Sequence, residues 1–298
     1  MKKLHMRGII TSIVTPFDQA GNIMEDSLRR EVRFLTNAGV HGLSPGGSTG
    51  EGAMLTDEEL VKIVRIVKEE NNKGLPIVAG IIRNSTDSAV KAALAVKNAG
   101  ADVLMVTPTS YNVLVPDDEG NYTFYQTISD IVDMPIIIYN VVPQNNISTE
   151  LFKSLLDIKN VIGIKEACGG VKALYDKILA CGDRGSMYAA ADDMLYTCFD
   201  LNADGSIAAI LTIFPDISVR IWDCVQEGDC KTAKELQAGI YPVWQAVAGN
   251  HFPRRIKEAL KQLGRDVGLP RSPILEATSE EKINIKTAID GMRAIHLL

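Results

Sequence analysis

Three short segments of this 298-residue sequence carry groups that could do covalent chemistry at a carbonyl. The first, Val161-Ile162-Gly163-Ile164-Lys165-Glu166, reads as a strand ending in a lysine. With a period of two, Val161, Gly163 and Lys165 share one face, while Ile162 and Ile164 take the other and pack under helices. Lys165 then points inward, where apolar walls solvate an ammonium poorly and favour the neutral amine that attacks a ketone. A strand-end lysine can also snorkel to solvent, and strand pattern alone favours that plainer reading.

The second segment, Pro135-Ile136-Ile137-Ile138-Tyr139-Asn140, ends in a tyrosine on the same face as Ile137. A phenol beside an imine-forming lysine could shuttle protons as a carbinolamine dehydrates and as a carbon–carbon bond forms or breaks; taken alone, the segment favours the plainer reading of a tyrosine with its hydroxyl at a rim. The third, Pro45-Gly46-Gly47-Ser48-Thr49-Gly50-Glu51, is a glycine-rich turn with two adjacent hydroxyls. Backbone N–H groups freed by glycine, together with Ser and Thr hydroxyls, suit a carboxylate without an arginine, although loops commonly contain Gly and Ser.

Other chemistries find less support. No Gly-Lys-Ser/Thr follows the turn and no G-x-G-x-x-G occurs, so nucleotide fingerprints are missing. His5, His41, His251 and His296 are far apart, no G-x-S-x-G elbow is present, and no metal or cofactor is expected. Asp192-Asp193 could bind a cation, but it falls where a helix should begin, and capping is the favoured role.

These segments need strands to hold them. Strands are expected at Ile9–Val14, Gly42–Ser44, Pro76–Gly80, Val103–Val106, Pro135–Tyr139, Val161–Lys165, Met187–Ala190 and Gly205–Ile207. Helices are expected between and after them, near Asp26–Ala38, Thr56–Glu70, Ser85–Asn98, Tyr122–Val132, Ser148–Leu156, Val171–Ala180, Asp192–Leu201 and Pro215–Gln226, several opening on a cap such as Thr56 or Ser148. Eight strand–helix units imply an α/β fold closed into a (β/α)8 TIM barrel over residues 1–228, with active-site residues at the C-terminal strand ends. Residues 229–298 read as a C-terminal helical extension of about three helices, with Pro270 and Pro273 marking the turn between the last two.

Composition narrows the partners. A formal charge of −6 with no dense Lys/Arg cluster argues against nucleic acid. No apolar run approaches the ~20 residues of a membrane span, and the N-terminus lacks a signal-peptide pattern. Five scattered cysteines without a Cys-x-x-Cys pair read as reduced thiols of a cytoplasmic enzyme.

Taken together, Gly-Gly-Ser-Thr-Gly-Glu at 46–51, Tyr-Asn-Val at 139–141 and Gly-Ile-Lys-Glu-Ala at 163–167 resemble the dihydrodipicolinate synthase / N-acetylneuraminate lyase family. Ile13-Val14-Thr15-Pro16-Phe17 and Gly205-Ser206-Ile207 fit the same family. The resemblance implies a class I, Schiff-base-forming lyase acting on pyruvate or a related 2-oxo acid, assembled as a homotetramer or homodimer. Position by position, it implies Lys165 as the imine lysine, Tyr139 as the proton-transferring tyrosine and Ser48 as the relay hydroxyl. It implies further that Thr49 and the backbone around Gly47 bind the carboxylate, and that the Ile207 backbone closes over the 2-oxo acid.

Two departures concern the second substrate. The synthases carry an arginine soon after Tyr-Asn-Val-Pro, whereas this chain reads Tyr139-Asn140-Val141-Val142-Pro143-Gln144-Asn145-Asn146. Their Pro-Tyr-Tyr-Asn motif, whose second tyrosine reaches a neighbouring subunit's site, is here Pro108-Thr109-Ser110-Tyr111-Asn112. The favoured expectation is therefore aldol cleavage, dehydration or deamination of a sugar-acid-like or other 2-oxo acid. The runner-up is condensation of pyruvate with aspartate semialdehyde, and a catalytically silent binding barrel is the reading from another class.

Overall fold

The computed structural model describes residues 6–295, so His5 and His296 lie outside the described residues. Short segments, most of them rich in Ile and Val, form strands buried on both faces: β1 (Gly8–Ser12), β2 (Gly42–Ser44), β3 (Val78–Ile81), β4 (Val103–Val106), β5 (Ile136–Asn140), β6 (Val161–Glu166), β7 (Ser186–Ala189) and β8 (Gly205–Ser206). Every pairing is parallel, in the order β2-β1-β8-β7-β6-β5-β4-β3. A parallel bridge between Leu43 and Ile77 joins the two ends, so the sheet closes into the expected TIM barrel.

The helices are α1 (Glu25–Asn37), α2 (Asp57–Glu70), α3 (Thr86–Ala99), α4 (Asp118–Val132), α5 (Thr149–Leu155), α6 (Gly170–Cys181), α7 (Leu195–Asp200), α8 (Ile210–Ile213) and α9 (Pro215–Glu227), followed by α10 (Cys230–Val247), α11 (Phe252–Gln262) and α12 (Ser279–Ala294). Local chemistry starts and stops them. Thr56 and Glu59 form a reciprocal capping box on α2, while α9 opens on Pro215 and ends at Gly228, whose φ of 82° lets the chain turn away. Asp229 then caps α10 through the Thr232 N–H, and Pro270 and Pro273 fall between α11 and α12 as expected. Among the described residues, no helix is long and apolar enough to cross a membrane.

Three expectations need correction. Helix α4 begins four residues before Tyr122, because Asp117 accepts the Gly120 N–H and caps a polar first turn that periodicity does not reveal. Helix α7 is shorter than expected and begins at Leu195, leaving Asp192 in the preceding turn. The short helix α8, whose four residues are all buried, has no polar face and so no periodic signal.

Two apolar cores result. One fills the shell between strands and helices, and it contains Val161 and Ile164. The other fills the barrel itself and contains Ile10, Val78, Met105, Ile137, Ile162 and Tyr188 among others. Ile162 thus lies inside and Val161 outside, contrary to the simple alternation. The cause is an irregularity in register: Ile136 pairs with Val161, but Ile137 pairs with Gly163, so one residue of β6 is extra. Beyond Gly163 the alternation resumes, with Ile164 packed outward.

Candidate active site

The bulge sets the register that matters, because beyond it Tyr139 of β5 lies directly beside Lys165 of β6, and Lys165 beside Tyr188 of β7. The Lys165 Nζ sits 3.7 Å from the centre of the Tyr139 ring, a cation–π contact. Both residues are buried, at 5% and 4% exposure, so this lysine does not snorkel to solvent. The Tyr139 hydroxyl lies 3.0 Å from Ser48 Oγ, and either oxygen can donate. Tyr188, whose phenol donates to the Met6 carbonyl at 2.9 Å, is another aromatic of the barrel interior.

Ser48 is held by a tightly wound turn after β2. Gly46 takes φ of 73°, and a Cβ on Gly52 would stand 1.8 Å from the Gly46 carbonyl oxygen, so only glycine permits this approach. The Gly47 carbonyl accepts from both Gly50 N–H and Gly52 N–H. No hydrogen bond within the described chain engages the N–H of Ser48 or Thr49, nor the Thr49 hydroxyl. Two unengaged N–H groups and a hydroxyl on a buried turn form a concavity suited to an anion. Ile207, immediately after β8, is fully buried in the barrel core, its N–H spent on the Ala189 carbonyl at 3.0 Å.

Asp192 behaves differently from expectation. It does not cap the helix that follows β7; its Oδ1 accepts the Ile210 N–H at 2.6 Å and so caps α8 across the barrel rim. Burial pushes its carboxyl up to about 6, against the Ile210 N–H and the Lys165 ammonium, which both favour the charged form. An acidic group therefore shares the electrostatic environment of Lys165. Among the described residues no group of three or more His, Cys, Asp or Glu is placed to hold a metal, and His41 spends its Nδ1 on the Ile9 N–H.

Sequence reasoning missed two supports of this arrangement. Glu166, pointing away from the barrel interior, pairs with Lys177 of α6 at 2.8 Å, accepts from Asn140 Nδ2 at 3.0 and 2.9 Å, and accepts the Cys168 N–H at 2.7 Å. This buried cluster ties the ends of β5 and β6 together beside Tyr139 and Lys165. Glu51, at the end of the glycine turn, pairs with Lys257 of α11 at 2.6 Å. Both glutamates stand in the recognised motifs, but their lysine partners are identifiable only in three dimensions.

A cavity of about 340 Å³ opens beside Ser48, lined by Met54, Ile82, Thr107, Ser110, Val141 and Ile274 among others, and among the described residues its only charged lining residue is Glu51. No arginine or lysine lines it. Gln144, in the stretch where an arginine is missing, donates to the Ser110 carbonyl at 2.6 Å. Ser110 and Tyr111 both donate their N–H to Asn84 Oδ1, leaving the Tyr111 side chain 62% exposed.

Residues 5–292 match the Dihydrodipicolinate synthetase family. A 4-hydroxy-tetrahydrodipicolinate synthase of Bartonella bacilliformis is 32% identical over 284 residues, covering 92% of this chain and 95% of that one. Among solved structures, the chloride-inhibited dihydrodipicolinate synthase of Acinetobacter baumannii complexed with pyruvate is similar at a TM-score of 0.90 and 28% identity, covering 97% of this chain and 99% of that one. CdNal of Clostridium difficile, solved in complex with mannosamine, is similar at a TM-score of 0.87 and 27% identity, covering 96% and 99%.

Proposed function

This chain belongs to the dihydrodipicolinate synthetase family of lyases, and on that premise we propose that Lys165 forms an imine with the ketone of pyruvate or a related 2-oxo acid. The observation that carries the reading is the run of contacts from Ser48 Oγ to the Tyr139 hydroxyl at 3.0 Å, and from the Tyr139 ring to Lys165 Nζ at 3.7 Å. Once the Lys165 ammonium has passed a proton to the Tyr139–Ser48 relay, its amine adds to the ketone carbon, giving a carbinolamine. A proton delivered through Tyr139 lets the hydroxyl leave as water, and the protonated imine remains. That imine acidifies the adjacent carbon, so loss of a proton there gives an enamine that adds to an aldehyde. The reverse sequence cleaves the same carbon–carbon bond.

Ser48 serves as the relay partner of Tyr139. Thr49 and the turn around Gly47 hold the carboxylate, supported by the unengaged N–H groups of Ser48 and Thr49, and the backbone at Ile207 closes over the bound acid. The favoured substrates are sugar-acid-like or other 2-oxo acids undergoing aldol cleavage, dehydration or deamination. The cavity beside Ser48 supports this preference, since it offers a second carboxylate no cation. The relatives' name favours a second reading, condensation of pyruvate with aspartate semialdehyde. Assembly as a homodimer or homotetramer in the cytoplasm accompanies the proposal; exposed Tyr111, Val113 and Leu114 beside the mouth support a subunit contact.

Borohydride reduction in the presence of pyruvate tests the central step. The reduced adduct should appear on the peptide containing Lys165 and vanish in Lys165→Ala; a label on another lysine refutes the assignment.

A further inference from the structure

We propose that Lys257, on α11 of the C-terminal helices, is a positioning residue for the carboxylate-binding turn, acting by neutralising Glu51 so that an anionic substrate can be held beside it. The inference rests on the reading of Gly47, Ser48 and Thr49 given above. Glu51 is the last residue of the Gly-Gly-Ser-Thr-Gly-Glu segment and takes a left-handed φ of 57°. Its side chain is 1% exposed and that of Lys257 is 2% exposed, with Nζ and Oε1 separated by 2.6 Å. The other carboxylate oxygen accepts the Arg271 N–H at 2.8 Å.

Lys257 uses its remaining donors on the same region. Its Nζ donates to the Thr15 carbonyl at 2.7 Å and to the Leu269 carbonyl at 2.6 Å, and the charge lies 4.7 Å from the Phe17 ring centre. The Thr15 hydroxyl in turn donates to the Gly50 carbonyl at 2.7 Å. The glycine turn is thus pinned from both sides, by Thr15 at Gly50 and by Lys257 at Glu51. Burial pushes the Lys257 ammonium down from the ordinary lysine value, an effect that Glu51 opposes.

An apolar pair would pin a turn as well as an ion pair does. What distinguishes this site is its charge balance. Glu51 stands two residues from Thr49 on a turn whose free N–H groups suit an anion, and it also lines the cavity beside Ser48. Without Lys257, its carboxylate would keep nearby only the Arg271 guanidinium, a cation already paired with Glu59, and would repel the substrate's own carboxylate across weakly screening protein. Lys257 removes that repulsion, and the removal depends on sign in a way that mechanical support does not.

The experiment reads the pyruvate concentration giving half-maximal borohydride trapping in the full chain, for the wild type, Lys257→Met and Glu51→Gln. Lys257→Met leaves a negative charge and should raise this concentration on the order of tenfold. Glu51→Gln leaves a positive charge and should hold it at or below the wild-type value. A purely mechanical clamp would raise both, so a rise in Glu51→Gln, or a wild-type value for Lys257→Met, overturns the inference. Should Lys257→Met fail to fold, Glu51→Gln decides by the same criterion. A wild type that traps no pyruvate at all overturns the reading of the site and this inference with it.

Discussion

Lys177→Met removes the only side-chain cation that, among the described residues, pairs with Glu166, whose side chain is fully buried, while Lys177 is itself 3% exposed. The carboxylate keeps its hydrogen bonds from Asn140 and the Cys168 N–H but loses an ammonium at 2.8 Å. Breaking a buried pair by removing one partner costs about 3–5 kcal/mol. The two surviving donors place this case near the lower end, about 3 kcal/mol. Removing both charges in Glu166→Gln/Lys177→Met should return stability to within about 1 kcal/mol of the wild type, because an uncharged amide no longer demands a counter-ion. Equilibrium urea unfolding at one protein concentration measures all three proteins. The single variant should also trap pyruvate more slowly, since Asn140 and Glu166 bind the two strands just beyond the Tyr139–Lys165 pair. A single variant within about 1 kcal/mol of the wild type, or a double variant as unstable as the single one, would refute the reasoning.

Tyr139→Phe should fold normally and slow turnover roughly 10²–10⁴-fold, as loss of a general acid–base group does, with Ser48→Ala losing less because water replaces a relay hydroxyl; steady-state kinetics decide, and an unimpaired Tyr139→Phe removes the phenol from the mechanism. Condensation of pyruvate with aspartate semialdehyde should be weak, about a hundredfold or more below an enzyme with a guanidinium clamp, because no cation lines the cavity. A kcat/KM near 10⁴ M⁻¹s⁻¹ or above for that reaction would make the second reading the leading one. Asp192, raised to about 6 in the fold, binds a proton there that the unfolded chain has already released near its ordinary value, so stability falls as pH rises from about 4 through 6. Asp192→Asn should abolish that decline, at most about 3 kcal/mol, and parallel unfolding curves for the two proteins between pH 4 and 7 would contradict the burial argument.

Much of this protein is written locally. Short β-branched runs alternating with amphipathic stretches specify eight strands and their helices, because burial on two faces and on one leave different periods in the sequence. Parity along β5 and above Gly163 in β6 placed Tyr139 and Lys165 on the inner face, and the spelling of the glycine turn pointed to Ser48 and Thr49. Other features exist only once the chain closes. The irregular register at Ile136 and Ile137 sends Ile162 inward, and nothing in Val161-Ile162-Gly163 announces it, since three apolar or small residues suit either face. Asp192 found its N–H donor 18 residues later, across the rim, where local reading offered it the next helix. Glu166 and Glu51 were visible as residues, but Lys177 lies on the following helix and Lys257 is 206 positions away, on α11. Periodicity reports which face a residue shows to the core; it carries no record of which distant charge will meet it there, because that pairing is a property of closure and not of the local chain.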